Sequence, residues 1–374
     1  MKTLLLVGGG HTHALYLLNA RRFLPEDTRV LLVSPERFVP YSGMLPALVA
    51  GRCRFRDCHI DLGQLSRATG TELVFGRVTD LDLTRKRAQL DDGSSLDFDL
   101  VSLNTGLRTG GPLPGVTEYA LCTKPVSRFL PQWQETLESL YARERKDSVN
   151  LGVVGGGTAS IEMAMAIRYR LDKAERLRAP VQVHLLHGGG NLLPELPLAA
   201  QLRAAQLLQE RQIRVHPLFQ VARVEAHRVL TERHQHLPMD HVIWCARGRA
   251  GDWLARAGLA VTDRGLLQVN QHLQSVSHPF VFAAGDIAHL SSPPLPVEGA
   301  VAMHQAPVLA ANITRSLQSE PLRSFKPKKR YLSIIACGDE QALARWGNSV
   351  WAGRWVWRWK QRFDRNFMSQ FPGV

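Results

Sequence analysis

The chain has 374 residues, 45% apolar and 21% charged, a composition that builds packed cores and excludes a disordered polymer. Its length suits two or three domains, and five cysteines, too few and too odd in number for a disulfide framework, point to a reducing compartment. The net charge of +13 calls for an anionic partner, but from Leu322 onward 11 Lys and Arg stand against 3 Asp and Glu, so +8 of it lies in the last 53 residues.

The N-terminus carries one basic residue, Lys2, then an apolar run that breaks at Gly8. This is too short for a secretory segment and reads as a buried first strand. No stretch reaches the roughly 18 apolar residues of a spanning helix, so an integral membrane protein is not expected. Residues 4–18, LLLVGGGHTHALYLL, give an apolar strand, a triple glycine and an apolar-periodic helix. Such a unit cradles phosphate: Gly8 permits the tight turn, Gly10 lets backbone approach a pyrophosphate, and the helix N-terminus offers free N–H groups. His13 holds the last position of the G-x-G-x-x-G pattern. Its bulk predicts a helix slightly off the sheet, or an imidazole turned to the ligand.

The next strand, Arg29 to Ser34, ends where a ribose-binding acid is expected; Ser34 can bond a ribose through its hydroxyl, and Glu36 follows two residues on. Cys53 and Cys58 have the C-x4-C spacing of a redox disulfide. They are followed by His59-Ile60-Asp61-Leu62, not the usual Pro-x-Lys, so small buried thiols are the expectation here and for Cys122 and Cys337. GRVTDLDL reads as a strand, and FDLVSLNTG as an acid, an apolar strand and a small-residue turn.

The pattern then returns. Residues 151–167, LGVVGGGTASIEMAMAI, repeat strand, glycines and helix about 147 residues later, with Gly155, Gly157 and, at the final position, the small Ser160. Val181 to His187 is its second strand, ending without an acid; NADH, NADPH or no nicotinamide at all stay open. MDHVIWCARG echoes FDLVSLNTG. HPFVFAAGDIA sets Gly285-Asp286 at a strand end, where the acid can bond a ribityl or ribose hydroxyl, and EGAVAMHQAPVLAANI reads as a helix. In the tail, Trp351, Trp355, Trp359, Phe363 and Phe367 recur at i+4 beside Arg354, Arg358, Arg362 and Arg365. This is the composition of an interfacial membrane helix, or of a stripe packed on the core.

The paired glycine loops, the NTG and ARG strand ends and VFAAGD resemble the flavoproteins with two dinucleotide-binding domains, the pyridine nucleotide-disulfide oxidoreductase superfamily. VGGGHTHALYLL, SPERFVPYSGMLPALVAG and the stretch from FKPKKRYLSIIACGD to RWVWRWKQRFDRNFM resemble a narrower group akin to type II NADH dehydrogenases, some fused to selenophosphate synthetase. The resemblance implies that Gly8, Gly10 and His13 hold FAD pyrophosphate, with Ser34 and Glu36 at its ribose and Val78 at its adenine. It implies that Asn104, Thr105 and Gly106 line the cofactor, that Asp286, beside Gly285, binds the ribityl chain, and that Tyr41 to Met44 approach the flavin ring. Gly155, Gly157 and Ser160 would take NADH or NADPH. Glu162 and Lys124 would stand near the flavin as catalytic residues, as a charged pair or an ordinary salt bridge.

The expected fold is α/β: two Rossmann-like domains, the second inserted in the first. Residues 1–112 and 270–325 would bind FAD, 113–269 the nicotinamide, and 326–374 would form a C-terminal cap with an amphipathic helix. The expected activity is FAD-dependent hydride transfer from NAD(P)H and onward transfer to a quinone. The expected setting is peripheral, on the cytoplasmic face of the plasma membrane, with anionic lipid as partner, no nucleic acid, and a homodimer left open. A flavin reductase of selenium or sulfur metabolism and a non-enzymatic flavin-binding redox sensor are the alternatives.

Overall fold

The computed structural model describes residues 1–20, 24–111, 113–246, 248–290 and 299–372. The α/β expectation holds. Two five-stranded sheets, parallel throughout, carry the chain, and their strand orders mirror the sequence repeat. In the first the order is Val281–Ala283, Leu100–Leu103, Lys2–Val7, Thr28–Ser34, Glu72–Phe75; in the second it is Ala120–Cys122, His241–Trp244, Val149–Val154, Val181–Leu186, Arg214–His216. The strand that runs into each glycine loop is central, and the segments FDLVSLNTG and MDHVIWCARG return beside it. Arg247 of the latter lies outside the described residues.

Central parallel strands are covered on both faces, which is why they read as unbroken apolar runs instead of alternating ones. Leu4, Leu5 and Leu6 are wholly buried, as are Leu151 and Val153 at the equivalent place. Each sheet also sends out a three-stranded antiparallel meander before its return strand: Val78–Asp82, Arg87–Leu90 and Ser95–Asp97 in one, Val221–Glu225, Arg228–Thr231 and His236–Pro238 in the other.

The chain crosses from the first sheet to the second after Leu103 and back after Trp244. The two crossings pair with each other: the N–H of Arg108 donates to Arg249 O and the N–H of Arg249 to Arg108 O, both at 2.9 Å. Thr109, next along, bonds Lys124 in both directions through backbone and hydroxyl. The helix Gly299–Leu317 packs on the first glycine-loop helix, His11–Ala20. Glu298, which opens the run EGAVAMHQAPVLAANI, lies outside the described residues.

The C-terminal stretch is an antiparallel sheet of Leu332–Ala336, Ala342–Trp346 and Ser349–Gly353, then the helix Arg354–Met368. Trp351 is therefore on a strand, not on the helix. Gly353, at φ +130°, makes the switch between them. Trp346, Trp351, Trp355, Trp359 and Phe363 are exposed, and so are Arg354, Arg358, Arg362 and Arg365. Phe367 departs from the stripe and is buried. Four residues turn a helix by about 400°, so an i+4 series drifts some 40° per step, and by Phe367 it has rotated about 120° away from Trp355. The inward face consists of Val356, Lys360, Asp364, Phe367 and Met368.

Candidate active site

Asn104 ties the first glycine loop to two distant segments. Its N–H donates to Val7 O at 2.8 Å and its side-chain amide to Ala284 O at 2.7 Å, while its Oδ1 accepts from the His13 N–H at 3.4 Å. The loop lies so close that only glycine fits: a Cβ at Gly10 would stand 2.1 Å from Asn104 Oδ1, and one at Gly8, where φ is +94°, 2.6 Å from Asn104 O. Gly285, at φ +75°, is pressed against the same amide, and Gln305 accepts its N–H at 2.8 Å. The result is a cradle of backbone around the first turn of His11–Ala20. Thr12 Oγ1 and His11 Nε2 are buried there without any hydrogen-bond partner. A helix N-terminus with free N–H groups, glycines at close approach and orphaned polar atoms suits the pyrophosphate of a dinucleotide.

His13 corrects one expectation. Its imidazole does not face the ligand side: Nδ1 bonds Gly8 O at 2.7 Å and Nε2 bonds Ser102 Oγ at 2.9 Å, with the residue fully buried. Burial drives its pKa down to about 4, so the ring is a neutral tether that fixes the turn of the loop. Ser34 also turns inward, donating to Glu36 O at 2.8 Å, while Ser127 donates to the Glu36 carboxylate. Val78 is buried where its strand meets Leu90, and Thr105 is exposed beside Gly106, itself at φ +66°.

At the second loop Ser160 packs against Gly155, 3.0 Å from where a Cβ would stand, and its hydroxyl bonds Gly157 O at 2.8 Å. His187, standing where an acid was sought, is buried behind Gly156. Gly157 faces open space at an ordinary φ of −92°, so nothing inside the chain requires glycine there.

Lys124 and Glu162 do not pair. Lys124 Nζ donates to Asp286 Oδ2 at 2.7 Å. Burial alone would raise the Asp286 pKa, but the charge and hydrogen bond of Lys124, aided by His11 and Arg264, bring it below the ordinary value. Glu162, in the helix Thr158–Asp172, accepts the Ala336 N–H at 2.7 Å. Burial pushes its pKa up to about 7, against the opposing pull of the Lys360 ammonium. A carboxyl poised there can hold or release a proton at neutral pH.

The sequence reading missed Lys360 and Asp364. They come from the inward face of the C-terminal helix. Lys360 Nζ donates to Gly43 O and to Asp364 Oδ2, both at 2.8 Å. Tyr41 donates its hydroxyl to Asp364, and its ring lies 4.4 Å from that of Phe367. Burial raises both the Tyr41 and the Asp364 pKa. Tyr41, Gly43, Glu162, Lys360 and Asp364 thus form one polar cluster, drawn from the loop, the second glycine-loop helix and the tail. The available signal was Asp364, the sole acid in Arg354–Met368, four residues after a lysine.

Cys53 and Cys58 are both free. Cys58 lies on the short 3-10 turn Phe55–Cys58, and Cys53 is in the irregular chain before it, not on a helix after a glycine loop. Cys337 is fully buried, which pushes its thiol up to about 12. Among the described residues no group of three or more His, Cys, Asp or Glu is placed to hold a metal.

Known proteins similar to this chain share its family and fold. Ferroptosis suppressor protein 1 of Taeniopygia guttata is 28% identical over 263 residues, 67% of this chain, and the chain spans 65% of that relative's length. Demethylphylloquinone reductase NdbB of Synechocystis is 26% identical over 306 residues, 78% of this chain and 73% of its own. The structure of NDH2 from Plasmodium falciparum in complex with NADH superimposes with a TM-score of 0.81 at 16% identity, covering 99% of this chain and 97% of that one. The pyridine nucleotide-disulphide oxidoreductase family matches residues 2–310, more than half of the sequence and both glycine loops. The chain belongs to that family.

Proposed function

We propose that this chain is an FAD-dependent NAD(P)H:quinone oxidoreductase working at a membrane surface. The family's cofactors are FAD and a nicotinamide dinucleotide. FAD, when bound, supplies the hydride and electron chemistry. Gly8, Gly10 and the backbone around Asn104 would hold its pyrophosphate, Glu36 its adenosine ribose, Val78 its adenine, and Asp286, fixed by Lys124, its ribityl hydroxyls. In domain terms, residues 1–112 and 270–325 would carry FAD, 113–269 the nicotinamide, and 326–374 the cap.

The observation that carries this reading is the cluster of Tyr41, Glu162, Lys360 and Asp364. Reduction of a quinone takes up protons as well as electrons, and Glu162, titrating near neutrality beside a buried ammonium, is suited to deliver one. The names of relatives also support a quinone: one acts on demethylphylloquinone. Anaerobic mixing of the purified protein with NADH and with NADPH is expected to bleach the flavin absorbance, and a soluble quinone analogue to restore it. Failure of both nicotinamides to bleach would remove the donor half, and failure of every quinone to restore colour the acceptor half.

Gly157→Ala tests the second loop. Because a Cβ there meets nothing, thermal stability is expected to stay within about 0.5 kcal/mol of the parent. The apparent Kd for the nicotinamide should nevertheless rise, since the methyl would occupy the dinucleotide's approach. Unchanged affinity would take Gly157 out of the site.

The membrane part rests on the exposed aromatic and arginine face of the last helix. No described helix is long and apolar enough to cross a bilayer. Vesicles rich in phosphatidylglycerol are expected to sediment the protein, and the triple change Trp355→Ala, Trp359→Ala, Phe363→Ala to abolish this with the fold intact. Each arginine is worth about 1 kcal/mol near such a surface, so neutral vesicles should bind far less. Equal sedimentation of parent and triple variant would place the contact elsewhere.

A further inference from the structure

His11 opens the first glycine-loop helix and stands where three parts of the site meet. On one side is the Lys124–Asp286 pair, whose charges both act on the imidazole. On the other, its ring is edge-on to Tyr41, with centroids 6.2 Å apart at 87°, and to Phe367, at 6.3 Å and 85°. Its Nε2 is shut off from solvent and has no hydrogen-bond partner, and neither has the buried Thr12 hydroxyl next to it. A buried polar atom left without a partner costs about 1–3 kcal/mol, so two side by side call for a partner from outside the chain. Two adjacent ones at a glycine-lined helix N-terminus mark the place of a ligand.

We propose that His11 is a positioning residue: its Nε2 forms a hydrogen bond with the FAD held over the first glycine loop, and the ring fixed in this way seats Tyr41 and Phe367, linking cofactor loading to docking of the C-terminal helix. The proposal rests on the flavoprotein reading above and adds to it one named contact and one linkage. The linkage follows from the packing, since Phe367 belongs to the C-terminal helix and Tyr41 donates to Asp364 of the same helix. Ordering the imidazole therefore orders the surface on which the helix lies.

Two substitutions separate the hydrogen bond from the packing. His11→Phe keeps an aromatic edge toward Tyr41 and Phe367 but cannot bond, whereas His11→Asn supplies a polar atom without the ring. His11→Phe is expected to raise the FAD Kd, followed by quenching of flavin fluorescence, about 10-fold, the effect of losing one buried hydrogen bond. His11→Asn should recover part of that loss. In the parent protein the His11 Nε2 resonance, seen with 15N-labelled histidine, should shift on adding FAD. Hydrogen exchange over 354–368 should slow on loading in the parent, and slow less in His11→Phe.

If His11→Phe binds FAD as tightly as the parent and the Nε2 resonance does not move, the contact does not exist. If FAD leaves exchange in the C-terminal helix unchanged, the linkage falls. A parent protein that takes up no FAD at all would instead defeat the flavoprotein reading, and this proposal with it.

Discussion

Gly10→Ala protein is expected to leave purification without flavin. The new methyl carbon would stand 2.1 Å from Asn104 Oδ1 and 2.8 Å from Asn104 O, distances at which atoms cannot coexist. Asn104 cannot simply turn away, because its amide is bonded to Ala284 O and its N–H to Val7 O. Displacing it would uncouple the loop from the Gly285 turn and leave buried amide groups unpaired. Losing that arrangement is worth about 3 kcal/mol, or roughly a 10²-fold weaker FAD Kd. Flavin content per chain and fluorescence titration measure it, and far-ultraviolet circular dichroism checks that the sheets persist. A yellow Gly10→Ala protein of parental affinity would show that the cradle is not the cofactor's seat.

Asp364→Ala should be the most damaging change in the tail. The Lys360 and Asp364 side chains are only 10% and 6% exposed, so removing the carboxylate strands a buried ammonium. Breaking such a pair costs about 3–5 kcal/mol, whereas replacing both partners with apolar residues is often neutral. Thermal unfolding should therefore show Asp364→Ala strongly destabilised and the double variant Lys360→Met, Asp364→Leu much less so. A double variant as unstable as the single one would contradict the buried-charge explanation.

The same cluster is expected to set a pH dependence. Glu162 holds its proton more tightly in the folded chain, up to about pH 7, than its ordinary value of 4.5 allows. Its contribution to stability is therefore fully present below pH 4.5 and is lost as pH rises through 7. Glu162→Gln should flatten that decline and also reduce turnover with quinone by about 10²-fold, the usual share of a positioned acid. Lys360→Met removes the cation that opposes the burial effect, so the ionisation seen in the pH–rate profile should move upward. An unchanged profile in both variants would separate Glu162 from the proton path.

The sequence disclosed what backbone geometry demands. Tight turns and close approach accept only glycine, so both loops, the NTG turn and Gly285 were legible, and the unbroken apolar runs marked the buried parallel strands. It could not disclose which charges meet. Lys124 and Asp286 are brought together from distant parts of the chain, and nothing near either residue announces the other. Glu162 was matched with Lys124, but the cation that acts on it arrives from the tail. There Lys360 was hidden in plain composition: among so many basic side chains, only the fold distinguishes the one turned inward. The two readings open for His13 could not be separated for a related reason, since a residue type says nothing about which way its ring nitrogens face.

The seam where the two crossing segments pair has a mechanical consequence. Arg108 and Arg249 grip each other backbone to backbone, so the two segments that join the sheets are stapled to each other where they run side by side. Lys124 follows the first crossing and Asp286 the second, and their 2.7 Å contact lies across the joint like a clasp. Parting the sheets would mean unfastening that clasp and also unpacking Leu45–Val49 from Thr158–Asp172, so charge and apolar packing share the hold.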